Sequence, residues 1–317
     1  MSPDPFISRR RQRSRRPQFD PEALFPAPSR WSPTAFYRGL RSAGRILALF
    51  AWGTFSGWAQ ALFQILPGWM HIRMPVIFWK GVCRILNIEV RVLGTTPAAT
   101  TPGLKQRPVL FAANHSTWLD IATLGSILPT LFIGKQEIST WPLIGSLTKV
   151  GGTIFISRNR QTAEKEVQFL IKRLQKGYNI AFFPEGTSSD GTGVLPFRAS
   201  LFTLAKPRAR KGIMPDHPIP LVQPISVAYD RLEGLPTGRN RRISVFSWFG
   251  DMELVPHIWN LGKWRSMRAT IVLHPPIDPK DYPSRKSLAE ATHAIIRKGN
   301  EDINQQRYEH GVLAETR

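Results

Sequence analysis

Short apolar runs alternate with helix-like segments along the chain from about residue 108 onward. The β-rich runs predict strands at 108–113, 130–134, 153–157, 179–183, 221–228, 242–248 and 269–273. Between them the apolar residues recur at helical spacing, which predicts helices near 117–127, 138–149, 161–176, 198–206 and 284–306. Strands that alternate with helices form βαβ units, so the pattern predicts an α/β fold with a mainly parallel sheet flanked by helices.

The pattern before residue 91 is different. No charged residue occurs from Ile46 to Met70, a length that can cross a hydrocarbon core of ~30 Å, and Pro67-Gly68 interrupts it. A second segment, Met70 to Val90, carries Arg73, Lys80 and Arg84 on one helical face, as helices that lie in a membrane surface do. The two segments could form a single span, a membrane-associated helical hairpin or two buried helices of a soluble domain. We favour the hairpin, because it keeps the basic regions on both of its sides at the same, cytoplasmic, face of the membrane.

The first 45 residues form a basic tail with ten arginines and seven prolines and almost no apolar periodicity, so we expect it to be largely disordered. We therefore expect three regions: the tail at 1–45, the hairpin at 46–90 and a catalytic domain at 91–317. The chain has 43 Lys+Arg against 22 Asp+Glu, a formal charge of +21, which favours an anionic partner. The tail lies just before an apolar segment, which favours an anionic membrane surface over nucleic acid as its partner.

A single cysteine, Cys83, excludes an internal disulfide framework and a zinc site built on cysteines. The histidines other than His115 are scattered without the spacing of metal ligands, so no metal site is expected.

The segment Asn114-His115-Ser116-Thr117-Trp118-Leu119-Asp120 follows an apolar strand and begins a helix. A histidine and a carboxylate five positions apart, on either side of a strand-to-helix turn, can form one hydrogen-bonded pair. In such a pair the carboxylate fixes the imidazole tautomer and stabilises the imidazolium, which is the arrangement of a general base. The alternative is an ordinary helix N-terminus, with Ser116 as its cap and Asp120 in the first turn.

Two more segments end at the same predicted sheet edge, where sites gather in parallel sheets. Arg158 follows the strand at 153–157 and can offer a planar, charged fork to a phosphate or carboxylate. The turn Glu185-Gly186-Thr187 follows the strand at 179–183 through a proline. Each could instead be an ordinary charge at the end of a strand.

Five motifs occur in a fixed order over residues 108–229: NHSTWLD, FIGKQEISTWPLIG, GGTIFISR, FPEGTSSDG with LPFRASLF, and IPLVQPISVAY. Together they resemble the 1-acylglycerol-3-phosphate O-acyltransferases, a family of membrane-bound glycerolipid acyltransferases. The resemblance implies that His115 is the catalytic base and Asp120 its orienting partner, with no acyl-enzyme and no cofactor. It also implies acceptor binding by Arg158 and by the turn at 185–187, with support from Asn114, Lys135 and Pro224. The acyl donor would be acyl-carrier protein or acyl-CoA, the acceptor a lysolipid, and the location the cytoplasmic face of a bacterial inner membrane.

The chain departs from the family's usual pattern at two positions. Ser188 stands where many members have an arginine, and Ser157 stands where they have an acidic residue. The motif FPEGTSSDG followed by LPF also resembles bacterial relatives that acylate lyso-ornithine lipid. Two acceptors therefore remain, 1-acyl-glycerol-3-phosphate, which we favour slightly, and lyso-ornithine lipid. A lipid esterase would need a Gly-x-Ser-x-Gly elbow, which is absent, and a non-catalytic basic membrane-binding protein is the remaining alternative.

Overall fold

The computed structural model describes residues 33–68, 70–96, 107–140, 145, 153–156, 163–206 and 219–308. The helices are α1 (Pro33–Ile65), α2 (Met70–Leu86), α3 (Leu119–Gly125), α4 (Ala163–Gln175), α5 (Leu254–Gly262) and α6 (Arg285–Asn304). The strands are β1 (Ile88–Gly94), β2 (Val109–Ala113), β3 (Thr130–Lys135), β4 (Thr153–Ile156), β5 (Asn179–Phe182), β6 (Leu221–Leu232), β7 (Leu235–Pro236) and β8 (Met267–Leu273). From Arg38 onward the described residues belong to one compact unit.

The strands form one sheet in the order β1-β8-β6-β2-β5-β3-β4, with β7 paired to β6. β6 pairs antiparallel with β7 and β8, and the other pairs are parallel. The predicted α/β fold with a mainly parallel sheet is therefore confirmed.

β2 lies in the middle of this sheet and is buried on both faces. Its alternate residues belong to two separate cores: Phe111 packs in the cluster that includes α2 and α3, and Leu110 in the cluster that includes α4 and α6. Side chains alternate between the two faces of a strand, so a strand with helices on both sides is apolar at every position. Asn114, the residue that follows β2, thus lies at the carboxyl end of a central strand.

Two predictions of local structure are wrong. Residues 242–248 were expected to be a strand, but a helical turn at Arg239–Arg241 continues into a π-helical segment, Arg242–Phe246. The Ser247 N–H donates to the Arg242 carbonyl five residues earlier at 3.0 Å, which is the hydrogen bond of a π-helical turn and not of a strand. Residues 88–94 form an edge strand on β8, where the pattern had extended a helix to Val90. The predicted helix at 138–149 overlaps a 3₁₀ turn, Gln136–Thr140, and beyond residue 140 all but residue 145 of it lies outside the described residues.

The structure describes part of the N-terminal regions. Helix α1 begins at Pro33, inside the segment expected to be a tail, while residues 1–32 lie outside the described residues. The apolar face of α2 packs into the core of the sheet through residues such as Phe78 and Leu86, so α2 is part of the folded unit. The expected hairpin thus contains one helix with an exposed apolar face and one helix bound to the sheet.

Helix α1 has the reverse of the residue distribution found in a water-soluble helix. The residues it buries are small or polar: Ser42, Gly53, Ser56 and Gln60. Large apolar side chains on its other faces are exposed, namely Leu47, Phe50, Phe55, Trp58, Leu62 and Ile65. Its length and composition would allow it to cross a membrane. An exposed apolar surface of this extent on a helix favours contact with lipid, so we describe the protein as membrane-associated.

Candidate active site

Asn114 joins the end of β2 to the neighbouring strand β6. Its amide nitrogen donates to the Val227 carbonyl at 2.9 Å, and its oxygen accepts from the Val227 N–H at 2.8 Å. The side chain thus replaces a backbone partner at the point where the ladder from β2 ends. His115 is the next residue, so the two hydrogen bonds of Asn114 fix the position at which the His115 backbone begins.

His115 and Asp120 form the pair that the sequence predicted. The Nδ1 atom of His115 lies 2.9 Å from Oδ2 of Asp120, whose side chain is almost fully buried. The same carboxylate oxygen accepts the backbone N–H groups of Ser116 at 2.7 Å and Thr117 at 3.0 Å. Since these N–H groups belong to the turn between the two residues, Asp120 closes the turn as well as orienting the imidazole.

Tyr229 completes the hydrogen bonding of this carboxylate. Its hydroxyl donates to Oδ1 of Asp120 at 2.9 Å, and its ring stacks on Phe246 at 4.9 Å between centroids. Full burial, together with the neighbouring Asp120 charge, raises the pKa of Tyr229 well above its ordinary value. The phenol therefore remains a neutral donor, and both oxygens of the carboxylate are satisfied without contact with water.

The imidazole of His115 is oriented but accessible. It stacks on Phe183 at 4.0 Å between ring centroids and 15° between planes, and its side chain keeps 17% of its surface exposed. An Nδ1 that faces a carboxylate carries the proton, so the lone pair of the neutral ring lies on Nε2. No residue in the described ranges forms a hydrogen bond with Nε2. The arrangement can take a proton from a bound hydroxyl or water.

Glu185 lies beside the same histidine and holds its backbone. Oε1 accepts the His115 N–H at 2.7 Å, and Oε2 accepts the Leu195 N–H at 3.0 Å. Burial raises the pKa of Glu185 to about 8, although these two N–H groups act in the opposite direction. The carboxyl group thus connects the His115 segment to the loop that precedes residue 198.

The turn after Glu185 curves around the site. Gly186 has φ +71°, a conformation that glycine adopts without strain, and Thr187 is exposed. The Ser189 N–H donates to the His115 carbonyl at 2.8 Å. The structure therefore brings the predicted turn at 185–187 next to the predicted His115–Asp120 pair.

The other predicted residues are less fully described. Lys135 ends β3 at the same sheet edge, and its side chain and all of Arg158 lie outside the described part. Pro224 is buried in β6 opposite Ala112, where its carbonyl accepts the His274 N–H. Within the described residues, no three His, Cys, Asp or Glu side chains gather as a metal site would require.

Sequence reasoning did not find Tyr229 and Phe183 as parts of the site. Tyr229 shares a face of β6 with Ile225 and Val227, at spacings of two, and all three belong to the same core cluster. That periodicity could have placed Tyr229 on the His115 side of the sheet. Its hydrogen bond to Asp120 spans 109 residues and has no local signal.

Comparison with known proteins identifies the family. The family model described as Acyltransferase matches residues 88–223. A lyso-ornithine lipid O-acyltransferase of Rhodobacter capsulatus is 35% identical over 282 residues, which cover 86% of this chain and 94% of that protein. A 1-acyl-sn-glycerol-3-phosphate acyltransferase of Neisseria gonorrhoeae is 41% identical over 134 residues, 42% of this chain and 50% of that protein.

The fold has also been solved in a relative. The crystal structure of the 1-acyl-sn-glycerophosphate acyltransferase of Thermotoga maritima matches with a TM-score of 0.59 and 20% identity, over 85% of this chain and 97% of that one. The fold of this chain is thus similar to the fold of the Thermotoga maritima enzyme. On the motifs, the matched region and the similarity to the Rhodobacter capsulatus protein along most of the chain, this protein belongs to the acyltransferase family and is an acyltransferase.

Proposed function

We propose that the protein transfers a fatty acyl group from an acyl thioester to the hydroxyl of a lysolipid. His115 Nε2 takes the hydroxyl proton while the oxygen attacks the thioester carbonyl. The C–S bond then breaks as the new ester forms, and the imidazolium returns the proton to the leaving thiolate. The oriented His115–Asp120 pair, with a partly exposed imidazole, is the observation that supports this reaction. General-base catalysis of this kind accelerates a reaction by ~10²–10⁴.

The test is acyl transfer by the purified protein in detergent, with His115→Ala compared to wild type. We expect His115→Ala to reduce turnover at least a hundredfold while the thermal unfolding temperature is kept. His71→Ala is the matched control, because the imidazole of His71 hydrogen-bonds a carbonyl at the tip of the helical hairpin, Gly68. A folded His115→Ala protein with wild-type turnover would exclude the mechanism.

Two acceptors are supported by different observations. The first candidate is 1-acyl-glycerol-3-phosphate, because two Neisseria relatives named for it are 41–42% identical over 134 residues. The second is lyso-ornithine lipid, because relatives named for it in Rhodobacter capsulatus and Rhizobium meliloti match at 30–35% identity over 74–86% of this chain. Apparent Michaelis constants for both lysolipids, with the donor saturating, distinguish the two.

For the donor we propose acyl-carrier protein or acyl-CoA. Both present strong negative charge, as acidic side chains or as phosphates, and the chain's formal charge of +21 favours their approach. Turnover with each donor at low and at ~0.15 M salt tests this proposal, since screening weakens the attraction of exposed charges.

We propose further that α1 and the hairpin tip lie within one leaflet at the cytoplasmic face of the inner membrane. Contacts at both ends of α1 support this arrangement. Ser42 donates to the Trp259 carbonyl of α5 at 2.7 Å, and Gln60 donates to the His71 carbonyl of α2 at 3.0 Å. Since α2 is bound to the sheet, α1 lies along the folded unit instead of leaving it. Protease accessibility of the C-terminus in spheroplasts, compared with inverted vesicles, tests the proposed face.

The residues of the acceptor pocket are also a proposal. We expect Arg158 and Thr187 to contact the head group, and Gly186 to allow the turn. Both oxygens of Glu185 accept backbone N–H groups, so we assign it the positioning of the His115 segment. Arg158→Ala should raise the apparent Michaelis constant for the lysolipid; a change in donor use alone would contradict this assignment.

A further inference from the structure

A second arginine lies over the turn of the proposed acceptor pocket. Position 188, two residues after Gly186, carries an uncharged serine. The side chain of Arg198 instead covers the neighbouring Gly186. Its Nε, Cζ and Cδ atoms lie 3.0, 3.1 and 3.2 Å from the point that a Cβ atom on Gly186 would occupy. The turn thus contacts the guanidinium of a residue that lies ten positions after Ser188.

The backbone of Arg198 is held on both sides. Its N–H donates to the Pro184 carbonyl at 2.9 Å, and its carbonyl accepts the Leu201 N–H at 3.0 Å. The preceding Phe197 packs edge-on against His293 of α6, at 4.9 Å between ring centroids. The main chain that carries the Arg198 side chain is therefore fixed at this turn.

The same contacts connect Arg198 to the catalytic histidine. The Pro184 carbonyl that accepts its N–H directly precedes Glu185, and Glu185 accepts the His115 N–H at 2.7 Å. The guanidinium therefore lies on the turn that surrounds His115. It is exposed, and no described residue forms a hydrogen bond or an ion pair with it. A planar, exposed cation on the turn that is hydrogen-bonded to the His115 segment is suited to bind an anionic group of a substrate.

We propose that Arg198 binds the anionic group of the lysolipid head group, and so replaces the cation that Ser188 does not provide. The recognised group is a phosphate in 1-acyl-glycerol-3-phosphate, or the carboxylate of the ornithine in lyso-ornithine lipid. A Cβ atom on Gly186 would lie 3.0–3.2 Å from the Arg198 side chain, so a larger residue there would displace the guanidinium slightly. This inference rests on the proposed lysolipid acyl transfer and names a specificity residue for it.

The experiment measures apparent Michaelis constants for both lysolipids and for the donor in wild type, Arg198→Ala and Arg198→Lys. A charge-assisted hydrogen bond contributes about 1.5–3 kcal/mol, so Arg198→Ala should raise the constant for the true acceptor by about 10- to 150-fold. The constant for the donor should change less than threefold. The acceptor constant of Arg198→Lys should lie between those of wild type and Arg198→Ala, because lysine keeps the positive charge but lacks the planar guanidinium. Arg297→Ala, at an exposed ion pair on α6, is the control for loss of an arginine.

A rescue variant separates binding from a merely structural role. In the double variant Arg198→Ala with Ser188→Arg, a cation returns to the same turn at position 188, and the acceptor constant should recover at least fivefold. An acceptor constant in Arg198→Ala equal to that of Arg297→Ala, or a loss that the Ser188→Arg change leaves unaltered in folded protein, would overturn the inference. A wild-type protein that acylates neither lysolipid would instead contradict the proposed function, and this inference with it.

Discussion

Replacing Asp120 by asparagine tests the proposed catalytic role of the His115–Asp120 pair most directly. The carboxylate accepts hydrogen bonds from His115, Ser116, Thr117 and Tyr229, and its negative charge faces the imidazolium of the reaction. With charge centres about 4 Å apart and an effective dielectric constant of about 20, that attraction is about 4 kcal/mol. Since ~1.4 kcal/mol corresponds to a factor of ten, Asp120→Asn should lower kcat by about 10³.

The fold should survive this change. The amide oxygen of asparagine can still accept from the turn N–H groups, and its nitrogen can donate to the Tyr229 hydroxyl, which rotates to accept. The assay is kcat at saturating donor and acceptor in detergent, with thermal unfolding followed by circular dichroism. Tyr229→Phe removes one hydrogen bond and keeps the carboxylate charge, so it should lose about tenfold or less. A folded Asp120→Asn protein with more than a third of wild-type kcat, or equal losses in both variants, would refute the electrostatic argument.

Three further predictions concern pH, the edge of the sheet and the membrane. Burial raises the pKa of Glu185 from 4.5 to about 8, so the folded protein keeps a proton that the unfolded chain releases. That stabilisation is complete below pH ~4.5 and is lost as the pH rises through ~8. The free energy of unfolding in urea should therefore decline over this pH range, and Glu185→Gln should reduce the decline. The same slope of unfolding free energy against pH in both proteins would contradict the pKa argument. Asn114→Ala leaves the Val227 N–H unpaired and should cost about 1–3 kcal/mol in the same assay; a loss below ~0.5 kcal/mol would show that the two bonds contribute little. Phe50→Glu combined with Trp58→Glu, at side chains 56% and 76% exposed on α1, should release protein from anionic vesicles in flotation, and retained binding would exclude α1 as the lipid contact.

The alternation of strands and helices could be predicted from the sequence because it depends on the local spacing of apolar residues. β2 is apolar at every position since helices cover both of its faces, and α4 shows the 3.6-residue repeat of a half-buried helix. The edge strand β1 was harder to recognise. Its residues follow α2 almost without a break, and its partner β8 lies far along the chain. A strand defined by such a distant partner has no local hydrogen-bond pattern to reveal it.

Distant contacts also determine the structure of the segment 242–248. Its composition is typical of a strand, yet Phe246 stacks on Tyr229 and the Trp248 N–H donates to the Ser116 carbonyl. These contacts with the site override the local preference, because propensity is weaker than packing.

The sequence by itself predicted the His115–Asp120 pair, because a turn short enough to be recognised from their spacing joins the two residues. It also determined the family, through motifs that keep their order. Only the tertiary structure decided what surrounds that pair: Tyr229 beneath the carboxylate, Glu185 on the His115 backbone and Arg198 over the turn. These contacts join residues 70 to 109 positions apart, or depend on how a loop closes, so no local pattern encodes them.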